Sequence, residues 1–305
     1  MRDTKKLVER IKELKKEKNA IVLAHCYQNV EIDEVADYVG DSLQLSRLAA
    51  QTDADIIVFG GVYFMAETAK ILSPDKKVLL PKMDAGCRMS DMVDLQQIRE
   101  FKSMYPNVPV VCYVNSSADV KAEADICCTS ANAVHVVESM KVPKILFAPD
   151  KYLGTYVANQ LGNVEVVTYP GYCPTHLAIL VEDVEAMKQK YPNAKVLAHP
   201  ECHQAVTKLA DYIGSTTGIM KYAKESDAKE FIIVTEKGVV DRLSRDYKDK
   251  KFYLVSNKAV CPNMKKNTLD DILHVLETEE NEIFVEEEIA AKAKQAIERM
   301  IAINE

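Results

Sequence analysis

The chain repeats itself three times. Asn-Ala-Ile-Val-Leu-Ala-His at 19–25 returns as Asn-Val-Pro-Val-Val-Cys-Tyr at 107–113 and Asn-Ala-Lys-Val-Leu-Ala-His at 193–199, at intervals of 88 and 86 residues. Ala-Asp-Tyr-Val-Gly-Asp-Ser at 36–42 returns as Ala-Asp-Ile-Cys-Cys-Thr-Ser at 124–130 and Ala-Asp-Tyr-Ile-Gly-Ser-Thr at 210–216, again 88 and 86 apart. Cys87, Cys173 and Cys261 keep the same period, with steps of 86 and 88. Such a period is too long for a solenoid repeat. It predicts three related units about a pseudo-threefold axis, at 1–87, 88–173 and 174–261. Residues 262–305 are expected to add a helix, a short strand and a final helix that pack back on the units.

Each unit has one plan. An amphipathic helix pattern comes first: Leu7, Val8, Ile11 and Leu14; then Leu95, Ile98 and Phe101; then Val181, Val184 and Met187. Apolar strands follow at 20–24, 108–112 and 194–198. A short helix and a second strand lead to Ser42, Ser130 or Thr216. Third strands at 56–59, 145–147 and 231–234 are each followed by a helix, and fourth strands at 78–80, 164–168 and 252–255 run towards the cysteines. Strands apolar throughout, alternating with helices, indicate parallel sheets covered on both faces. The fold class is α/β: three αβα sandwich domains around a central active site.

Ligands of open parallel sheets bind beyond the carboxyl ends of the strands, and the repeat puts its polar residues there. The first strands lead to His25-x-Tyr27, Tyr113-x-Asn115 and His199-x-Glu201, the second to Ser42, Ser130 and Thr216, the fourth to the three cysteines. Three such edges facing one axis would gather these groups into a single cavity. Plainer roles compete with this one. Ser42, Ser130 and Thr216 could be helix N-caps, and Thr217 stands beside Thr216. Cys112, Cys127 and Cys128 read as small core residues. Cys26 and Cys202 read as neighbours of the site, His135 and His274 as surface or packing residues.

No two of the eight cysteines are three apart, which removes Cys-x-x-Cys zinc and redox motifs. A disulfide framework does not suit a reducing compartment. Three thiols in phase without a fourth fit a [4Fe–4S] cluster with one open iron, whereas structural zinc would close its tetrahedron. The net charge of −7 argues against nucleic acid as a partner. The longest uncharged apolar stretch, residues 56–66, is too short to span a membrane. The first residues lead into a helix pattern rather than a secretory leader, so a cytoplasmic location is expected.

These residues, read in order, resemble the quinolinate synthase family. The resemblance runs nearly end to end. It is carried by Leu-Ala-His-Cys-Tyr-Gln at 23–28, Gly-Asp-Ser-Leu-Gln-Leu at 40–45, Phe-Met-Ala-Glu-Thr-Ala-Lys at 64–70 and Tyr-Val-Asn-Ser at 113–116. Thr-Ser-Ala-Asn-Ala-Val at 129–134, Gly-Tyr-Cys-Pro-Thr-His at 171–176, His-Pro-Glu-Cys at 199–202, Gly-Ser-Thr at 214–216 and Cys-Pro-Asn-Met-Lys-Lys-Asn-Thr at 261–268 complete it. It departs from many members at Cys26, where they carry Asn.

The resemblance implies condensation of iminoaspartate with dihydroxyacetone phosphate to quinolinate, phosphate and water in NAD biosynthesis. It implies an upstream enzyme that supplies iminoaspartate. Its cluster ligands map onto Cys87, Cys173 and Cys261, and its substrate-binding residues onto His25, Ser42, Tyr113, Asn115, Ser130, His199, Glu201 and Thr216. Proton transfer is expected of Glu201, His199 and Tyr27, with His25 in the same catalytic group. Two rival readings are a zinc hydrolase or deaminase built on His199, Glu201 and His203, and a non-catalytic sensor carrying a redox cluster.

Overall fold

A computed structural model of the chain describes residues 4–303. Residues 1–3 and 304–305, the outer ends of the first unit and of the C-terminal extension, lie outside it.

The first stretch runs α1 (Thr4–Glu17), β1 (Ala20–His25), a 3₁₀ turn (Val30–Glu34), β2 (Tyr38–Gly40), α2 (Ser42–Gln51), β3 (Ile56–Gly60), α3 (Tyr63–Leu72) and β4 (Lys77–Leu79). The second runs α4 (Leu95–Ser103), β5 (Val110–Tyr113), α5 (Ala118–Ala122), β6 (Ile126–Cys128), α6 (Ala133–Met140), β7 (Lys144–Ala148), α7 (Lys151–Leu161) and β8 (Glu165–Thr168). The third runs α8 (Pro174–Leu177), α9 (Val181–Lys190), β9 (Lys195–Ala198), α10 (Gln204–Thr207), β10 (Tyr212–Ile213), α11 (Thr216–Glu225), β11 (Glu230–Val234), α12 (Lys237–Asp246) and β12 (Lys251–Leu254). Two helices follow, α13 (Leu269–Thr278) and α14 (Glu287–Ile301).

The strands form three four-stranded sheets of one order: β2-β1-β3-β4, β6-β5-β7-β8 and β10-β9-β11-β12. Every pairing within them is parallel. β3 is buried at every position, as a strand covered on both faces must be. β5 begins at Val110 rather than at 108, because Pro109 has no N–H to give the ladder. The strand expected in the C-terminal extension reduces to a single antiparallel bridge between Leu79 and Glu282.

The repeated Ala-Asp has a structural cause. Asp37, Asp125 and Asp211 each accept the backbone N–H of the residue beside them on the first strand: Val22 at 2.7 Å, Val110 at 2.7 Å and Val196 at 2.8 Å. In return each aspartate's own N–H donates to that residue's carbonyl, at 2.9, 3.0 and 2.8 Å. One side chain thereby sets the register of the second strand on the first in all three sheets. The repeated asparagine before the first strand has a partial cause. Asn19 and Asn107 adopt left-handed φ values of 46° and 65°, a region Asn tolerates better than most residues.

The C-terminal helices bind the first two sheets together. α13 packs on α1 and β3, and α14 on α5, β6 and α3. Asn132 donates to the Met300 carbonyl at 3.2 Å, Arg299 to the Asp125 carbonyl at 2.6 Å and Arg47 to the Ile303 carbonyl at 2.9 Å.

Candidate functional site

The carboxyl ends of all three sheets open on one cavity of about 270 Å³. Its lining includes all twelve residues singled out from the repeat, four from each third of the chain: His25, Tyr27, Ser42 and Cys87; Tyr113, Asn115, Ser130 and Cys173; His199, Glu201, Thr216 and Cys261. Thr217 does not line it, and its hydroxyl is tied to Asp41 instead. Nor are Ser42, Ser130 and Thr216 helix caps. The caps of α2, α6 and α11 are Asp41, Asn132 and Ser215, so all three hydroxyls are free of that duty.

His25 and His199 are built alike. Each Nδ1 accepts the N–H of the residue two further on, Tyr27 at 3.1 Å and Glu201 at 3.3 Å, which leaves Nε2 to carry the ring proton. Burial pushes both imidazoles down to about 3 (nearby Arg242 and Lys265 add to the effect at His25), so both are neutral near pH 7. His199 Nε2–H donates to Ser130 Oγ at 3.2 Å. The loop bearing His25 and Tyr27 is clasped from the third sheet's side. Arg242 on α12 donates to the Cys26 carbonyl at 2.6 Å and the Gln28 carbonyl at 3.0 Å, and Lys265 to the Tyr27 carbonyl at 2.5 Å. Gly238 permits the approach, because a Cβ there would lie 2.5 Å from the Cys26 carbonyl oxygen.

Glu201 is the end of a directed hydrogen-bond chain. The Thr216 hydroxyl donates to Tyr27 Oη at 3.0 Å, the Tyr27 hydroxyl to Thr235 Oγ1 at 2.9 Å, and Thr235 to His176 Nε2 at 2.8 Å. His176 Nδ1–H then reaches Glu201 Oε2 at 2.6 Å, and Tyr113 donates to Glu201 Oε1, also at 2.6 Å. With the His176 ring proton on Nδ1, facing Glu201, and every hydroxyl donating once, the chain has a single direction and closes on the carboxylate. Burial works against the charge on Glu201. His176 and His199, with the bonds from His176 and Tyr113, outweigh it and hold the group down at about 2. Asn115 Oδ1 is buried with no hydrogen-bond partner, an unmet acceptor on the cavity wall.

His176 and Thr235 escaped the sequence reading because neither is in phase with an acid–base or ligand-type residue in both other units. Three residues after each cysteine stand Ser90, His176 and Met264. The positions matching Thr235 are Gly61 and Pro149. Only the segment 171–176, singled out as a motif, carried a hint of His176.

The three thiols share a local design. Each half-buried cysteine opens a turn whose backbone N–H groups favour its charged form: Met89 and Ser90 for Cys87, His176 for Cys173, Asn263 and Met264 for Cys261. Burial opposes ionisation, raising Cys87 to about 12 and the other two above the ordinary thiol value. A cationic iron–sulfur core resolves that opposition, since it takes thiolates as ligands in a site where water cannot solvate them. The donor set therefore fits such a group. Cys173, His176 and Glu201 also place one ligand atom each within 4.8 Å of one another and could hold a single metal ion.

The other cysteines and histidines keep the plainer roles. Cys112, Cys127 and Cys128 lie in β5 and β6 with no exposure. Cys26 and Cys202 are buried. His135 is exposed on α6, and His274 pairs with Glu280 at 3.1 Å on the surface. His203 caps α10 through Ala205 N–H at 3.1 Å, is exposed and lies outside the cavity. The His199, Glu201, His203 metal site does not assemble.

Residues 9–302 match the family model described as quinolinate synthetase A protein. The chain is 52% identical over 298 residues to the quinolinate synthase of Alkaliphilus metalliredigens, covering 98% of each chain. It is 53% identical to that of Dehalococcoides mccartyi, covering 96% of this chain and 97% of the relative. It is also 53% identical to quinolinate synthase 2 of Methanosarcina acetivorans, covering 98% and 96%.

Proposed function

The chain belongs to the quinolinate synthetase A protein family, and on that premise we propose that it is an enzyme condensing iminoaspartate with dihydroxyacetone phosphate to quinolinate, phosphate and water, a step of NAD biosynthesis. One observation carries the reading. A cavity that collects three in-phase thiols also holds a directed hydrogen-bond chain ending on an ionised, buried carboxylate.

The substrates bring two carboxylates and a phosphate. Neutral His25 offers Nε2–H, Ser42 and Ser130 offer hydroxyls, the latter backed by His199, and Asn115 offers its amide, while Thr216 lines the same wall with its proton on Tyr27, so the anions meet donors rather than the thiols' charge. Forming the ring removes protons from carbon and delivers them to departing oxygens. Glu201, held as a carboxylate, accepts such a proton. Tyr113 on Oε1 and His176 on Oε2 stabilise the carboxylate, and the chain from Thr216 through Tyr27, Thr235 and His176, with every donor aimed towards Glu201, is oriented to deliver a proton to it. The acid–base group of this reading is thus Glu201, His199, Tyr27 and His25.

Cys87, Cys173 and Cys261 would hold a [4Fe–4S] cluster whose one iron without a protein ligand supplies Lewis acidity towards a substrate oxygen. The proposal takes 1–87, 88–173 and 174–261 as three domains, each delivering one thiol, with 262–305 as the extension that packs on them. It also takes the enzyme to work in the cytoplasm on small molecules, fed by an enzyme that makes iminoaspartate, with no nucleic-acid partner. Among the described residues no helix is long and apolar enough to cross a membrane.

A second reading rests on Cys173, His176 and Glu201, whose ligand atoms could take one metal ion without sulfide. Anaerobic purification separates the two. The cluster reading requires about four irons and four sulfides per chain, together with quinolinate formation from the two substrates. One metal per chain and no sulfide would favour the second.

A further inference from the structure

The three cysteine turns are anchored by one repeated bond and then treated differently. The residue opening the helix after each third strand donates its N–H to the carbonyl two places before that unit's cysteine. Tyr63 reaches Ala85 at 2.8 Å, Lys151 reaches Gly171 at 2.9 Å and Lys237 reaches Ala259 at 2.8 Å. The preceding residue caps the helix, and there the repeat breaks: Val62, Asp150 and Glu236 stand at the three equivalent places. Glu236 is fully buried. Its carboxylate accepts the Cys261 N–H at 3.2 Å, the Gly238 N–H at 2.6 Å and the Lys265 ammonium at 3.1 Å. Asp150, also fully buried, caps α7 through Tyr152 and Leu153 N–H groups at 2.8 Å each and lies beside the Cys173 amide. Val62 has no acceptor to give.

The Cys87 turn is tied from elsewhere. Asn263 donates to the Gly86 carbonyl at 2.8 Å, and Lys266 to the Asp84 carbonyl at 2.7 Å and carboxylate at 2.8 Å. Both donors belong to the turn that begins at Cys261.

We propose that Glu236 is a positioning residue for two of the three thiols. It holds the Cys261 turn directly and, through Asn263 and Lys266 of that turn, the Cys87 turn as well. Asp150 serves Cys173 alone. The inference rests on the proposed function only in giving the thiols a common ligand; the bonds themselves do not depend on it. Loss of the Glu236 carboxylate leaves the Cys261 N–H without its partner and frees the segment from which Asn263 and Lys266 reach across.

The test is amide hydrogen exchange on the anaerobically purified full-length protein, read by peptide mass spectrometry. Glu236→Ala is expected to speed exchange roughly five- to tenfold, the scale of one net hydrogen bond, at 259–266 and also at 84–90, leaving 171–176 unchanged. Asp150→Ala is expected, among the three cysteine turns, to speed 171–176 alone, together with the start of α7 that it caps. Glu236→Gln keeps an acceptor oxygen and should restore most of the protection. Exchange unchanged in Glu236→Ala, or raised equally in all three turns, overturns the proposal. Iron release to a chelator gives a second readout and should quicken in Glu236→Ala and recover in Glu236→Gln. If the parent protein holds no iron, the cluster reading fails, and the exchange pattern still decides the role of Glu236.

Discussion

Two sets of three cysteines lie in this molecule, one without exposure inside the strands and one half-buried beyond their ends. Cys112, Cys127 and Cys128 sit within strands β5 and β6, where Cys112 and Cys127 are partners in register. The Cys112 thiol lies 3.4 Å from the hydroxyl of Ser116, in the bend that follows β5. Burial pushes Cys128 well above the ordinary thiol value, as it does Cys173. Cys87, Cys173 and Cys261 differ in standing past the strand ends, at the start of turns whose N–H groups point at sulfur, with one side open to the cavity. The residue type is constant. Backbone geometry decides which thiols can become ligands and which remain small apolar side chains.

The largest effect that would break this comparison is all or none. Single replacement of Cys87, Cys173 or Cys261 by Ser should abolish iron binding, measured anaerobically, while Cys112→Ser keeps it. Iron lost from Cys112→Ser would mean that strand cysteines also serve the site.

Glu201→Gln comes next, and it tests the cavity side alone. Turnover normalised to bound iron should fall roughly 10²- to 10⁴-fold, the usual span for general acid–base catalysis. Near-parental normalised turnover would leave His199 and Tyr27 to carry the protons.

A third effect is set by pH. His25 titrates at about 3 when folded and at about 6.5 when unfolded. The unfolded chain therefore binds the proton first, and stability falls as pH drops from 6.5 towards 3. The loss amounts to a few kcal/mol. Denaturant midpoints for His25→Asn should decline less steeply over that window than those of the parent. Parallel curves would show that His25 is charged in the fold. Cys127 and Cys128 are held well above the ordinary thiol value, so their replacement should leave the slope alone.

The smallest effect belongs to the core set. Cys127→Ala removes one sulfur from a filled interior and should cost about 1 kcal/mol by denaturation, with iron content unchanged.

The contrast also marks what the sequence could disclose. A repeat reveals whatever three units share, and the site shares a great deal: strand ends, hydroxyls and thiols all stand in phase. It also carries residues kept for structure, since the aspartate at 37, 125 and 211 recurs because it sets strand register. What one unit holds alone is invisible to periodicity. His176 and Thr235, which link Tyr27 to Glu201, have Ser90, Met264, Gly61 and Pro149 at their equivalent places. Strand order within the sheets, and the packing of α13 and α14, depend on contacts between distant segments that no local pattern encodes.

The placement of α14 has a consequence for the order in which the molecule is made. This helix buries Ala293, Ala296, Ile297 and Met300 against elements of the first two sheets, and Ile297 and Met300 alone are worth about 1.5–3 kcal/mol each. Those sheets leave the ribosome long before residues 287–301 do, and domains fold as they emerge. Until the helix arrives, α5 and β6 present an uncovered apolar face. The seam between the first two sheets is thus sealed by the segment synthesised after all three.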